Sequence, residues 1–333
     1  MRVFLTGGTG FLGGEIARQL VAAKHDVVAL ARNPARAAGL VALGAEVQQG
    51  DITDLETMRA GLAGADAVMH VAGWYKVGDP DGKSANAINV DGTRNVLSLM
   101  KEYGIKRGVY TSTLAVFSDT HGKLPDETYE FRGKHLSTYD ETKWKAHYEV
   151  AEPMMKAGLP LIIVQPGVIY GPGDEGPSGQ TLRTYLQGKL AAAPRQSALA
   201  WGHVEDVARG HLLALEKGRP GESYIVCGPI HTVIEALEMA QEITGVKVPS
   251  FRPRPGTLRF LARLAGFMEK FRKPAPERSA EYLRVNAGVT YLGNNAKARQ
   301  ELGIQMRPLK EGLRQTLLLE MEKMGMKPPA AAA

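Results

Sequence analysis

Three side chains have types and a spacing suited to proton transfer at a carbonyl or alcohol oxygen. Tyr139 and Lys143 stand four residues apart in the segment YDETK, so on a helix their polar ends share one face. A phenol is a weak acid at neutral pH, but an adjacent ammonium stabilises the phenolate and lowers the pKa of the phenol. Thr113 ends the preceding apolar segment, VYTST. The order of these residues predicts that the Thr113 hydroxyl donates to the same substrate oxygen.

A glycine-rich segment near the N-terminus predicts a phosphate site. In TGGTGFLG, at 6–13, Gly7, Gly10 and Gly13 stand between an apolar run and a predicted helix. Glycines there permit a tight turn, close approach of the backbone to a pyrophosphate and close packing of helix on strand, while the helix N-terminus offers free N–H groups. A merely structural glycine turn is the alternative. The strand–turn–helix context favours a dinucleotide site.

The end of the second predicted strand indicates which dinucleotide binds. Enzymes that use NAD place an acidic residue there for the ribose 2′-OH, but this chain has Ala31 followed by Arg32. A charge-assisted hydrogen bond of about 1.5–3 kcal/mol from Arg32, helped by Arg36, to a 2′-phosphate predicts a roughly 10- to 100-fold preference for NADP(H). The alternative is a solvated surface arginine. Asp51 and Ile52, in GDITD, lie where an adenine edge would sit.

The elements that position these residues are predicted by apolar runs without strict polar alternation, separated by helices. Such runs are typical of parallel strands buried on both faces, with right-handed helical crossovers between them. The predicted helices cover 11–23, 55–62, 85–103 and 139–156, and the predicted strands are RVFLT, DVVALA, AEVQQG, DAVMHV, RGVYTS and LPLIIVQP. The fold class is therefore α/β, with a doubly wound parallel sheet.

The chain beyond residue 170 has a different pattern. A loop rich in Gly and Pro is followed by a helix, by the strand-like SYIVCG that is expected to extend the sheet, and then by mostly helical sequence. We predict a cofactor-binding domain at 1–170, re-entered at about 198–228. The predicted substrate-binding lid is smaller, mainly helical and C-terminal, and comprises 171–197 and 229–325, before a disordered tail at 326–333.

Composition narrows the classes of protein and of site. Of 333 residues, 44% are hydrophobic and 23% charged, with 38 Gly and 19 Pro, which excludes a disordered or fibrous chain. A single cysteine, Cys227, excludes an internal disulfide, and the eight histidines show no ligand spacing, so no metal is predicted. No run of 18 apolar residues occurs and the first residues read as a strand rather than a signal peptide, so a cytoplasmic location is predicted.

One segment carries the excess positive charge. The formal net charge is +6, and 252–278 contains eight Lys or Arg against Glu269 and Glu277. A helix over 256–273 would bear a wide apolar face and the cations Arg259, Arg263 and Lys270. It would lie on an anionic membrane or admit a lipid-like substrate. The favoured alternative is a lid helix that packs its apolar face on the substrate pocket. No nucleic-acid module is present, so nucleic-acid binding is not predicted.

Together, several segments resemble the extended short-chain dehydrogenase/reductases, also labelled NAD-dependent epimerase/dehydratase, over 1–230 and more weakly to about 320. The segments are TGGTGFLG (6–13), GDITD (50–54), HVAG (70–73), NVDGTRNVL (89–97), VYTSTLAVF (109–117), YDETK (139–143), QPGVIYGPGD (165–174), HVEDVARGHLLAL (203–215) and NAKARQELG (295–303). The resemblance implies a Rossmann-type fold. The sequence departs from the commonest family pattern at three positions. Thr113 stands where Ser is usual, Leu114 where a small residue is common, and Gln165 where Arg is frequent.

The resemblance also implies roles for individual residues. Tyr139 is implied as the general acid/base, Lys143 as the residue that holds the nicotinamide ribose and tunes Tyr139, and Thr113 as the group that polarises the carbonyl. The predicted cofactor-binding residues are Gly7, Thr9, Gly10, Phe11, Leu12, Gly13, Arg32, Asp51, Ile52, Ala72, Asn89, Thr111, Tyr139, Lys143, Pro166 and Val168.

Within that family the sequence most resembles the branch of dihydroflavonol reductases, cinnamoyl-CoA reductases and hydroxysteroid dehydrogenases. This predicts NADPH-dependent reduction of a ketone or aldehyde on a small or lipid-like substrate, with NAD(H) as a second possible cofactor. The alternatives are an NAD-dependent nucleotide-sugar epimerase or dehydratase and an NADP(H)-binding sensor without turnover. The loops at 74–80, 118–136 and 177–185 are expected to shape the substrate pocket, and helices 85–103 and 139–156 are expected to form a homodimer interface.

Overall fold

The computed structural model describes residues 1–77, 82–272, 274–275, 278–327 and 329. Within these residues the strands are β1 (Arg2–Thr6), β2 (Asp26–Ala31), β3 (Glu46–Gln49), β4 (Ala67–His70), β5 (Gly108–Thr111), β6 (Leu161–Pro166), β7 (Val168–Tyr170), β8 (Ala198–His203), β9 (Ser223–Val226), β10 (Ile230–Thr232) and β11 (Thr290–Tyr291).

The α-helices are α1 (Phe11–Ala22), α2 (Ala38–Leu43), α3 (Arg59–Leu62), α4 (Gly82–Asn86), α5 (Gly92–Glu102), α6 (Thr138–Trp144), α7 (Glu152–Lys156), α8 (Pro177–Leu186), α9 (Val204–Lys217), α10 (Val233–Thr244), α11 (Pro255–Met268), α12 (Ala280–Val285), α13 (Ala296–Glu301) and α14 (Leu309–Lys323). A π-helical segment, Ala87–Asp91, joins α4 to α5, and another, Lys145–Ala151, joins α6 to α7. Short 3₁₀ turns occupy Pro34–Ala37, Leu55–Met58 and Leu114–Phe117.

The larger sheet has seven parallel strands in the order β3-β2-β1-β4-β5-β6-β9. The order reverses between β1 and β4, so the loops after these strands diverge and leave a crevice at the carboxyl edge of the sheet. This architecture confirms the predicted doubly wound α/β sheet, and β9 extends it as the run SYIVCG indicated.

Both faces of the larger sheet are buried by helices. One apolar core lies on the side of α1 and α9 and includes Val3, Leu5 and Ile162, while a second lies on the side of α5 and includes Phe4, Val68 and Ile163. Successive strand residues alternate between these two cores, and β4, β5 and β6 are buried along their whole length. Continuous apolar runs are therefore what these strands require.

A smaller sheet lies beyond the crevice. Strand β8 pairs antiparallel with β10 and parallel with both β7 and β11. A third apolar core joins this sheet to α8, α10 and α14 through residues such as Tyr185, Leu237 and Leu313. The domain boundaries at 170, 198–228 and 325 stay predictions. Part of the predicted tail, at 328 and 330–333, lies outside the described residues, as do residues 78–80 of the first predicted pocket loop.

The apolar residues of α5 that a dimer interface would use are buried within this chain. Val96, Leu97, Leu99 and Met100 are fully buried in the second core. A homodimer stays a prediction. Among the described residues, no helix combines the length and the apolar character that crossing a bilayer requires.

The packing of α11 differs from the favoured expectation. Leu258 and Ala262 are buried, but most of the remaining apolar side chains in this segment face solvent. These exposed residues are Phe260, Leu261, Leu264, Phe267, Met268 and Phe271. The interpretation as a lid helix with its apolar face packed inward was wrong, because helical periodicity identifies an apolar face without showing what covers it. Residue 273, the predicted end of this helix, lies outside the described residues.

Candidate active site

The turn between β1 and α1 depends on its glycines. Gly7 has φ +78°, and a Cβ there would lie 2.6 Å from the backbone nitrogen of Ala72. A Cβ at Gly13 would overlap the carbonyl oxygen of Gly7, which accepts a hydrogen bond from the Gly10 N–H at 2.9 Å. Each glycine therefore lets one backbone segment pass close to another.

The N-terminus of α1 has no capping side chain. Its N-cap is Gly10, which has no side chain to cap the helix, and its first turn contains no acidic residue. Thr9 and Gly10 are exposed, Phe11 is half-buried, and Leu12 and Gly13 pack inward. An uncapped helix N-terminus with exposed N–H groups suits a bound anion. The residues present thus fit the pyrophosphate of a dinucleotide.

The far end of the crevice carries the predicted 2′-phosphate site. Ala31 is buried at the end of β2, whereas Arg32 and Arg36 are exposed. The Asn33 side chain caps the 3₁₀ turn by accepting from the Ala35 N–H at 3.0 Å. The segment therefore presents two cations and no carboxylate of its own, which fits a phosphate better than a ribose diol.

The predicted adenine-edge residues follow β3. The Asp51 carboxylate accepts from the N–H and the hydroxyl of Thr53, at 2.9 and 3.0 Å. Ile52 is buried, and its carbonyl accepts from the Asn95 side chain at 2.9 Å. These bonds hold the backbone of the loop in one conformation.

Thr113 and Tyr139 meet at the carboxyl end of β5. Ser137 begins α6 by accepting from the Asp140 N–H at 3.0 Å, which places Tyr139 in the first helical turn. The Thr113 hydroxyl is a hydrogen-bonding neighbour that lowers the pKa of Tyr139, and the Thr113 oxygen also accepts from the Ala115 N–H at 3.2 Å. The structure brings the two predicted hydroxyl groups together.

Lys143 lies one turn further along α6 and is buried. Its Nζ donates to the Tyr110 hydroxyl at 3.1 Å and to the Thr111 carbonyl at 2.8 Å. Burial lowers the pKa of Lys143 to about 7, because a low-dielectric environment disfavours the ammonium.

The pKa of Tyr139 is shifted in the direction opposite to the one expected from the sequence. Burial raises it above the ordinary value, and the neighbouring Tyr75 raises it further, while the hydrogen bond with Thr113 acts in the opposite sense. Lys143 directs its hydrogen bonds to Tyr110 and Thr111 instead of Tyr139. Tyr139 is consequently held in its protonated, acidic form.

The sequence analysis assigned no individual role to three residues of this site, although Tyr75 lies in the predicted pocket loop 74–80. The Tyr75 ring meets the Tyr139 ring edge-on, with centroids 4.7 Å apart. Asp140 accepts from the hydroxyls of Ser137 at 2.7 Å and Tyr291 at 2.9 Å, and burial raises its pKa to about 7. Asp140 follows Tyr139 directly, so its acidic type was a usable signal, but the distant Tyr291 gave none.

The remaining predicted residues line the same edge of the sheet in structural roles. The Asn89 amide accepts from the Trp74 N–H at 2.7 Å and donates to the Thr142 hydroxyl at 3.0 Å, so it ties the loop after β4 to α6. The Ala72 N–H donates to Thr6 at 3.2 Å, and the Thr111 hydroxyl bonds with His211 at 3.1 Å. Their contact with a cofactor stays a prediction.

The segment after β6 includes two positions where the sequence departs from its family. Gln165 is buried, and neither atom of its amide has a hydrogen-bond partner among the described residues. Leu114 is buried against Gly293. Pro166 is buried and Val168 half-buried beside them.

His70 is bonded as a core residue. It lies between the hydroxyls of Thr6 at 2.7 Å and Thr93 at 3.0 Å, and burial lowers its pKa to about 3. Within the described part of the chain, no three His, Cys, Asp or Glu side chains are grouped as a metal site.

A doubly wound sheet with a glycine turn at its crevice and a Tyr-x-x-x-Lys helix beside it defines a protein of the Rossmann-type, extended short-chain dehydrogenase/reductase class. The sequence model of the NAD dependent epimerase/dehydratase family matches residues 3–227. The chain belongs to this family.

Its relatives include reductases and proteins of sterol metabolism. It is 29% identical over 310 residues to the sterol demethylase protein B of Methylococcus capsulatus, with 91% of this chain and 93% of the relative covered. It is 30% identical to a putative dihydroflavonol 4-reductase of Synechocystis, covering 93% and 92%. It is 31% identical to the 4-hydroxy-2-methyl-3-oxo-4-farnesyl-3,4-dihydroquinoline-1-oxide ketoreductase of Stigmatella aurantiaca, covering 91% of each chain. The resemblance to the dihydroflavonol reductase-like branch is confirmed.

Solved structures show the same fold. The crystal structure of a protein called gox2253 matches with a TM-score of 0.86 and 30% identity, covering 98% of this chain and 99% of that one. A Thermus thermophilus UDP-glucose 4-epimerase in complex with NAD matches with a TM-score of 0.75 and 23% identity, covering 96% and 98%. The second likeness concerns the fold alone.

Proposed function

We propose that this protein is an NADP(H)-dependent oxidoreductase that reduces a ketone or aldehyde on a lipid-like substrate, with Tyr139 as general acid. The observation that carries the proposal is the proximity of the Thr113 and Tyr139 hydroxyl groups, one helical turn from the buried Lys143, at the carboxyl end of β5. Two adjacent hydroxyl groups at that edge are suited to hold one carbonyl oxygen.

The nicotinamide cofactor, when bound, supplies the hydride for the carbonyl carbon. Thr113 and Tyr139 donate hydrogen bonds to the carbonyl oxygen and orient it. Tyr139 then gives its hydroxyl proton to that oxygen, so hydride and proton together convert the carbonyl to an alcohol. The raised pKa of Tyr139 keeps the phenol protonated before this step.

Lys143 is placed to assist the same proton transfer. In its ammonium form it stabilises the phenolate that Tyr139 becomes, because opposite charges attract strongly where water is excluded. With a pKa of about 7, Lys143 gains or loses its proton near neutrality. Its bonds to Tyr110 and Thr111 fix the Nζ in position.

The residues that follow β2 favour NADP(H) over NAD(H). Arg32 and Arg36 are exposed and follow the buried Ala31. The acidic residue that binds the ribose 2′-OH in NAD enzymes is missing at this position of the chain. The glycines and the uncapped N-terminus of α1 would hold the pyrophosphate, and Arg32 would pair with the 2′-phosphate.

The names of relatives that match over nearly their full length support the proposed substrate class. Two of them carry names that refer to a sterol and to a farnesyl-bearing ketone, and the second is a ketoreductase. The UDP-glucose 4-epimerase of Thermus thermophilus, at 23% identity, shares only the fold with this chain. We therefore favour net reduction of an apolar carbonyl compound.

Titration of nucleotide-stripped protein with NADPH and NADH, followed by fluorescence, tests the cofactor assignment. We expect NADPH to bind at least about 10-fold more tightly, and Arg32→Ser to reduce this preference to about 3-fold without changing NADH binding. Arg94→Ser removes another exposed cation, on α5, and is the matched control. Equal affinities in the unaltered protein would overturn the assignment.

A second measurement separates reduction from epimerisation. With a sterol-like ketone and NADPH, we expect one NADP⁺ released for each alcohol formed. Conversion of a nucleotide sugar with no net change in nicotinamide would contradict the proposal and favour the epimerase or dehydratase alternative.

A further inference from the structure

An exposed apolar stripe runs along α11 and continues just beyond it. We define the stripe as Phe260, Leu264, Phe267 and Phe271, whose exposed fractions are 66%, 49%, 59% and 78%. From these residues and the cations beside them we infer that the protein docks on an anionic membrane surface through α11.

The stripe points directly away from the protein. Its members are spaced by four, three and four residues, so they share one helical face. Leu258 and Ala262, which are buried, lie on the opposite face. The rings of Phe267 and Phe271 meet edge-on at 5.5 Å, so they form a continuous apolar surface. Side chains of this size in such a row are rarely left in water without a partner.

Cations follow one edge of the stripe. Arg259, Arg263 and Lys270 are exposed and lie on adjacent positions of the helical wheel. Pro255–Met268 contains no acidic residue. Glu269, the next acid along the chain, turns inward and accepts from the Ala280 N–H at 2.7 Å. A helix with an apolar face bordered by Arg and Lys fits anionic lipid headgroups above and acyl chains below.

This charge pattern argues against a second copy of the chain as the occupant. A two-fold interface centred on the stripe would bring Arg259, Arg263 and Lys270 close to their own equivalents. Like charges facing each other are unfavourable where water is excluded, and α11 offers no acidic residue to pair with them. An anionic bilayer supplies both the negative charge and the apolar phase.

The docking helix is connected to the candidate active site. Helix α11 packs against α12. The Glu281 carboxylate on α12 accepts from the N–H and the hydroxyl of Thr138, both at 3.3 Å, and Thr138 immediately precedes Tyr139. A docked α11 therefore holds the start of α6 near the bilayer. Access to a lipid-dissolved substrate from that side rests on the proposed function, whereas docking itself does not.

Sedimentation with vesicles tests the docking. The full chain is mixed with phosphatidylcholine vesicles containing 30% phosphatidylglycerol, or with phosphatidylcholine alone. We expect binding to the anionic vesicles that weakens at least about 10-fold on neutral vesicles or at 0.5 M salt. Absence of binding to anionic vesicles overturns the inference, whatever the outcome of the NADPH assays.

Matched variants locate the contact. The triple change Phe260→Ser, Phe267→Ser and Phe271→Ser, and separately Arg259→Gln, Arg263→Gln and Lys270→Gln, should each weaken vesicle binding about 10-fold or more. Controls at other exposed sites, Val41→Ser with Leu124→Ser, and Lys101→Gln with Lys106→Gln and Lys123→Gln, should leave it unchanged. Circular dichroism melting checks that each variant folds. Equal losses in controls and α11 variants, or loss of a dimer in place of vesicle binding, would contradict docking through the stripe.

Discussion

Helices α6 and α11 both depart from the usual rule that charged side chains are exposed and large apolar ones are buried. Helix α6 buries Asp140, Thr142 and Lys143, while the segment of α11 exposes Phe260 and Phe267. Charged residues are seldom fully buried and rows of large apolar residues are seldom fully exposed. The comparison teaches that each reversal needs its own compensation: internal hydrogen bonds for α6, and an external apolar phase for α11.

Removal of the Tyr139 hydroxyl is expected to have the largest effect. Tyr139→Phe should lower kcat about 10³-fold, equivalent to about 4 kcal/mol, because the general acid is lost. NADPH affinity should stay within about 3-fold. Steady-state kinetics and fluorescence titration measure both quantities. Tyr103→Phe removes the hydroxyl of an exposed tyrosine at the end of α5, and should keep full activity. Full turnover in Tyr139→Phe would show that α6 does not supply the proton.

The buried Asp140 should make stability depend on pH. Its pKa is raised to about 7, so between about pH 4 and 7 the folded chain binds this proton more tightly than the unfolded chain. Its contribution is therefore fully present below pH 4 and lost as the pH rises through 7. Relative to Asp140→Asn, the wild type should lose about 2–4 kcal/mol of unfolding free energy between pH 4 and 8, measured by urea denaturation. If the unfolding free energies of the two proteins changed with pH in parallel, the raised pKa of the buried Asp140 carboxyl would be contradicted.

Thr113 is expected to act through its hydroxyl. Thr113→Val keeps the shape but removes the hydroxyl that is proposed to donate to the substrate carbonyl, so kcat should fall about 100-fold, or about 2.7 kcal/mol. Thr113→Ser keeps the hydroxyl and should retain activity within about 3-fold. Activity that is kept in Thr113→Val and lost in Thr113→Ser would show that packing of the methyl group, and not hydrogen bonding, explains the role.

Two leucines within α11 sharpen the other half of the comparison. Leu258 is buried and Leu264 is 49% exposed. Leu258→Ala should cost about 2–3 kcal/mol of unfolding free energy, and Leu264→Ala less than about 0.5 kcal/mol, in the absence of vesicles. Urea denaturation gives both values. A large cost at Leu264 would mean that the stripe is covered within the protein.

The larger sheet and the positions of Thr113, Tyr139 and Lys143 could be predicted from local sequence patterns. The glycine turn needs a specific backbone geometry at Gly7 and close packing at Gly13, and the spacing of Tyr139 and Lys143 follows from the helical repeat. The orientation of α11 was not predictable, because its periodicity is equally compatible with inward and outward packing. The bond between Asp140 and Tyr291 was also beyond reach, since it joins residues 151 positions apart. The raised pKa of Tyr139 reflects its burial, and Lys143 directs its Nζ to Tyr110 and Thr111; spacing alone shows neither.

The bond between Tyr291 and Asp140 has a consequence for synthesis of the chain. Ribosomes add about 5–20 residues each second, and N-terminal parts fold first. With 151 residues separating the partners, the carboxyl of Asp140 waits about 8–30 s for the Tyr291 hydroxyl. Helix α6 is therefore synthesised before the hydroxyl that Asp140 finally bonds. The surroundings of Tyr139 are complete only after the last quarter of the chain has been synthesised.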